Sequence, residues 1–130
     1  MKKFFSFTLL FALMTIYTTG PDQVNLTIGD NGKTMEVMFN QVIIITLDSN
    51  ATTGYQWNLV TKPDAGIIKF LSSNYNVPEP KVQVVGRGGS ETWKFKAVSR
   101  GTTTLKLAYF RSFEPDKPAA AEFVINLRVK

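Results

Sequence analysis

The chain has 130 residues, 44% hydrophobic and 19% charged, a composition that excludes a disordered protein and leaves room for one core rather than two. Its formal charge of +5 includes Lys2 and Lys3, so loss of the first twenty residues, which hold no acidic group, leaves +3; that surplus biases encounter with an acidic partner but falls short of a nucleic-acid footprint. There is no cysteine and no histidine, which excludes disulfides, removes the commonest soft metal ligands, and takes away the usual base of a Ser–His or Cys–His nucleophile. No metal and no cofactor is expected.

In chain order, the opening MKKFFSFTLLFALMTIYTTG sets two lysines before an apolar run from Phe4 to Tyr17 and then small polar residues. This is the layout of a secretory signal over residues 1–20, with a domain at 21–130. An uncleaved anchor or a buried N-terminal segment is the alternative, although the run of about fourteen residues is short of the roughly twenty that a spanning helix needs. Export to the outside or to a lysosome-like vacuole is the expected fate. Val24 to Ile28 alternates apolar and polar, Gly29-Asp30-Asn31-Gly32 is a turn cluster, and Met35 to Phe39 follows as a further strand.

Val42 to Leu47 is a β-branched run that predicts a strand buried on both faces. Tyr55 to Val60, Trp93 to Ala97, Leu105 to Tyr109 and Phe123 to Lys130 alternate as half-buried strands do. Asp64 to Leu71 is readable as a short strand or a helical turn, and a strand is placed at 81–85. Strands at 42–47, 55–60, 81–85, 91–98, 102–109 and 121–130, joined by turn signals, predict an all-β, immunoglobulin-like antiparallel β-sandwich, with an up-and-down barrel as the competitor. Successive strands that alternate up and down gather the turns at 48–54, 86–90 and 110–121 at one pole. That parity holds only if residues 66–76 do not add a further strand.

Each of these turns is individually weak evidence. In Asn50-Ala51-Thr52-Thr53-Gly54-Tyr55, Asn and Thr can cap backbone groups and glycine permits a positive φ. Gly86-Arg87-Gly88-Gly89 lacks the Lys-Ser/Thr pair and following helix of a phosphate loop. Arg111-Ser112-Phe113 can be an ordinary strand end. Glu79, Glu91, Asp48 and Glu114 are the carboxylates a hydrolase would use, but their spacing forms no pair. A secreted module binding a carbohydrate or cell-surface partner is the other non-enzymatic reading.

In order and spacing, the three stretches resemble the chagasin-type inhibitors of papain-like cysteine peptidases, which carry NPTTGY, GxG and RPW/F motifs in the corresponding loops. Trp93 to Ala97 and Gly101 to Leu105 also look like a hairpin of that family. Ala51 and Ser112 stand where the motifs have proline, so each loop loses one φ constraint. The resemblance implies an immunoglobulin-like domain that is not an enzyme. It would be a monomer that inserts its loops as a wedge into the cleft of a papain-like cysteine peptidase, in a 1:1 complex. The peptidase-binding residues it implies are Asn50, Ala51, Thr52, Thr53, Gly54, Tyr55, Gly86, Arg87, Gly88, Gly89, Arg111, Ser112 and Phe113. Asn25 and Asn50 both match the N-glycosylation pattern; a glycan on Asn50 would obstruct the wedge, and an unmodified turn residue is the alternative there.

Overall fold

The computed structural model describes residues 22–77 and 88–130. Among these residues there are eight strands, β1 (Gln23–Leu26), β2 (Thr34–Val37), β3 (Val42–Ser49), β4 (Tyr55–Thr61), β5 (Ile68–Asn76), β6 (Gly89–Ala97), β7 (Gly101–Arg111) and β8 (Ala121–Val129), with 3-10 turns at Ile28–Asp30 and Ala51–Thr53. They form two four-stranded sheets, β1-β3-β6-β5 and β2-β8-β7-β4. One core draws on both: Ile43, Ile45, Leu47 and Phe95 from the first meet Leu105, Leu107, Phe123 and Ile125 from the second, all of them buried.

The sheets are mixed, not antiparallel throughout. β1 pairs parallel with β3, and β2 parallel with β8. The cause is where the chain crosses between layers. β1 lies in one sheet and β2 in the other, so β3, returning in the direction of β1, settles beside it with no hairpin between them. The up-and-down alternation therefore survives along the chain even though neighbours in a sheet run the same way.

Two expectations need correction. Strand β3 is not buried on both faces: Ile43, Ile45, Leu47 and Ser49 point into the core, while Val42 and Ile44 are half-buried and Thr46 and Asp48 are exposed. Flanked by β1 and β6, its outward β-branched side chains suit the pleat of a central strand and cover its outer surface. The stretch from Asp64 to Leu71, readable as a short strand or a helical turn, runs into a full antiparallel strand, β5, which continues to Asn76 and is bonded to β6 with a bulge between Phe70 and Ser72. The strand placed at 81–85 lies outside the described residues. The condition set for the parity, that residues 66–76 add no strand, fails with β5. The three connections still share a pole because β5 itself pairs antiparallel with β6, Asn76 opposite Ser90, so the β5–β6 connection leaves and re-enters at one end.

That end is shared. Ser49 pairs with Gly89, Tyr55 with Arg111, and Tyr109 with Ala121. The β3–β4, β5–β6 and β7–β8 connections thus emerge at one pole, while the β4–β5 connection and the turn at 98–100 lie at the other.

Candidate functional site

Asn50, Ala51, Thr52, Thr53 and Gly54 form a single closed turn. Asn50 stands extended at its start, and its Oδ1 accepts from the Thr52 amide at 3.2 Å and from Thr52 Oγ1 at 2.6 Å, the usual service of Asn at a helical N-cap. The Asn50 carbonyl accepts from the Thr53 amide at 3.1 Å and from Thr53 Oγ1 at 2.6 Å, and the Ala51 carbonyl from the Gly54 amide at 3.0 Å. Gly54 ends the turn at φ 85°, a left-handed conformation that costs glycine nothing. Exposure grades along it: residues 51–53 are exposed, Gly54 and Tyr55 half-buried, and Trp57 buried.

The root is clamped from both sheets. Tyr109, on β7, accepts the Asn50 amide at 2.9 Å, and Tyr75, on β5, accepts the Ala51 amide at 3.4 Å. Trp57 Nε1 donates to the Asp48 carbonyl at 2.9 Å. Tyr55 stacks on Tyr109 with centroids 5.3 Å apart. Beneath them lies Glu91, 8% exposed. Its Oε2 accepts from Ser49 Oγ at 2.8 Å and from the Trp57 amide at 3.0 Å, and its Oε1 from Trp93 Nε1 at 3.3 Å. Since Trp57 belongs to edge strand β4 of one sheet and Ser49, Glu91 and Trp93 to the other, this side chain ties the layers together directly below the turn.

The β7–β8 segment joins the same body. Arg111 Nε donates to the Thr53 carbonyl at 2.9 Å, and its guanidinium lies 4.5 Å from the Tyr55 ring centroid, a cation–π distance. Its Nη1 pairs with Glu114 at 3.2 Å. Phe113 is 68% exposed, yet one edge covers Gly54: a Cβ there would fall 2.9 Å from Phe113 Cε2. Gly54 is favoured by its φ, and a side chain there would also have to displace the exposed Phe113 ring. Ser112 is exposed between the two.

Gly88 and Gly89 stand beside the turn at the start of β6. A Cβ on Gly88 would lie 3.5 Å from the Ser49 carbonyl, and one on Gly89 would collide with the Asn76 carbonyl oxygen. Gly86 and Arg87 lie outside the described residues. Asn25, the other residue in a glycosylation pattern, is exposed on β1, away from the turn.

Tyr75, Tyr109 and Glu91 do the bracing, and sequence reasoning did not assign them that role. Tyr109 carried a faint signal, an aromatic two residues before Arg111 on an alternating strand; Tyr75 carried none. In the sequence Glu91 offers itself only as a carboxylate that a hydrolase could use. Among the described residues no three acidic side chains gather in one place, and Glu91 is committed to structural donors.

Chemically, the pole offers a narrow exposed tip whose Asn50, Ala51 and Thr53 carbonyls accept hydrogen bonds inside the protein, beside an exposed aromatic ring and a glycine pair. A tightly turned backbone of this kind does not present an extended peptide.

Residues 36–127 match the family model described as chagasin family peptidase inhibitor I42. Amoebiasin-2 of Entamoeba histolytica is 33% identical over 118 residues, covering 90% of this chain and 89% of that protein. Chagasin of Trypanosoma cruzi is 29% identical over 105 residues, covering 79% of this chain and 94% of the relative. The crystal structure of the cysteine protease inhibitor EhICP2 from Entamoeba histolytica superposes with a TM-score of 0.71 at 26% identity, covering 85% of this chain and all of that one.

Proposed function

The chain belongs to the chagasin family of peptidase inhibitors, and from that premise we propose that it inhibits papain-like cysteine peptidases reversibly, entering the active-site cleft with the turn at residues 50–54. Its scaffold is immunoglobulin-like in the broad sense of two packed β-sheets. Gly88, Gly89 and Arg111 to Phe113 flank the turn and meet the rims of the cleft, joined by Gly86 and Arg87 on the family resemblance, with Phe113 as the aromatic anchor. A monomer meets one peptidase, across an interface of roughly 800 Å² on each partner.

One observation supports this most: the turn and the 111–113 segment hold each other, because Arg111 donates to the Thr53 carbonyl and Phe113 lies over Gly54. A wedge must reach a thiolate at the floor of a groove without offering a carbonyl in line for attack. Thr52 and Thr53, on a turn bonded to itself and to both sheets, meet that need. Ordering entropy is spent in folding and not at the moment of binding, which favours affinity beyond what area alone supplies. The leader-like residues 1–20 suit delivery of 21–130 through a secretory pathway, to the outside or to a lysosome-like vacuole.

Titration of papain with purified residues 21–130 tests the reading. The expected result is stoichiometric inhibition that reverses on dilution and survives long incubation. Slow cleavage of the Thr52–Thr53 bond with return of peptidase activity would show a substrate instead.

A further inference from the structure

Ala51 is the first residue of the 3-10 turn, a position where chains often use proline, because φ is then fixed in advance and no amide is left over. This chain instead has alanine there, with no ring to preset φ and with an amide N–H on an exposed turn. The structure gives that amide a partner from a distant strand: the Tyr75 hydroxyl of β5, 3.4 Å away. Tyr75 reaches this point by crossing Gly89, where a Cβ would lie 3.0 Å from the same hydroxyl and 3.1 Å from Cζ. The glycine at the start of β6 is the slot through which the phenol passes. Tyr109, from the opposite sheet, takes the preceding amide, that of Asn50. Two phenols from two layers thus hold consecutive amides of the turn.

We infer that Tyr75 is a positioning residue of the inhibitory turn, whose hydroxyl fixes residue 51 by a hydrogen bond where a proline ring would fix it covalently. This rests on the reading of residues 50–54 as the wedge. Asn50 is extended, at φ −126° and ψ 92°, clear of the α region that a following proline disfavours, so the ring asks only for a modest rise in ψ. The two devices are alternatives. A proline at 51 removes the donor and makes the Tyr75 hydroxyl irrelevant to the turn; without the proline, the hydroxyl matters.

The test is a double-mutant cycle on protein secreted from the full-length chain: wild type, Tyr75→Phe, Ala51→Pro and the pair, each titrated against papain, with amide exchange at Ala51 followed in the first two. Tyr75→Phe is expected to raise the inhibition constant about two- to fivefold, as loss of one modest hydrogen bond does, and to speed Ala51 exchange by a similar factor. In the Ala51→Pro background the same substitution is expected to change nothing. Equal losses in both backgrounds overturn the inference, because the phenol would then act by touching the peptidase or by general stability. Unchanged Ala51 exchange also overturns it. A wild-type protein that leaves papain untouched refutes the wedge reading, and exchange still decides what Tyr75 holds. If Ala51→Pro fails to fold, exchange alone decides.

Discussion

Replacing Glu91 with leucine keeps a side chain of similar reach and removes every acceptor beneath the turn. The Trp57 amide, on an edge strand with its bond supplied by Oε2 at 3.0 Å, loses its partner in a site that is 8% exposed at residue 91. A stranded buried donor costs about 1–3 kcal/mol. Trp93 Nε1, bonded at the longer 3.3 Å, adds about 1 kcal/mol at the low end of that range, and the Ser49 hydroxyl can rotate to lessen its share. Relief from burying the carboxyl group offsets part of this. The net expectation is a loss of about 2–3 kcal/mol, read as a melting temperature lower by about 8–20 °C for a domain of this size. Glu91→Gln is the informative companion: its one carbonyl oxygen can still accept from Ser49 and Trp57, so it loses only the Trp93 bond and about 1 kcal/mol. Thermal denaturation followed by far-ultraviolet circular dichroism gives both values. A leucine variant within about 3 °C of wild type, or a glutamine variant as unstable as leucine, would refute the assignment of these three bonds as the tie between layers.

Phe113→Ala is expected to weaken peptidase inhibition by about 1–3 kcal/mol with little change in melting temperature, since the ring is largely exposed; an unchanged inhibition constant removes it from the contact. Gly54→Ala should destabilise the fold by about 1–2 kcal/mol through the left-handed backbone and also push Phe113 aside, so inhibition should fall further than for Phe113→Ala alone; a smaller fall refutes the coupling. Arg111→Lys keeps the charge but loses the stack on Tyr55 and the Nε donor to Thr53; the expected change is at least about threefold in the inhibition constant, and a variant equal to wild type refutes the brace. Intact-mass measurement of the protein expressed in a glycosylating eukaryotic host should find Asn50 unmodified, and a glycan there would contradict the proposed insertion of the turn.

What could be read in the chain followed from local rules. Strands such as β7 and β8 alternate cleanly because one face meets the core, and the turn at 50–54 declares itself through Asn, Thr and Gly. β3 misled because Ile44 beside Ile43 and Ile45 looks like double burial; β-branched residues also suit the outer pleat of a central strand. β5 was obscure because Ser72, Ser73, Asn74 and Asn76 belong to an exposed edge, where no hydrophobic period is imposed. The parallel pairings of β1 and β2 are consequences of layer crossing and leave no local trace. Likewise the motif residues of the candidate site stood out by type, but Tyr75, Tyr109 and Glu91 become neighbours of the turn only through strand register, which no short stretch encodes.

The joint made by Glu91 ties the tip's mobility to that of the hydrophobic interior. Asn50 hangs from one layer through Tyr109, and Ser49 and Trp57 meet across the seam, so the root of residues 50–54 is tied more firmly than that of an ordinary surface loop. Loosening that root disturbs contacts between the two layers. In the complex proposed above, a peptidase pressing on the tip would work against contacts between the layers, which would let a protein without a single disulfide offer so slender an edge to an enzyme built to cut.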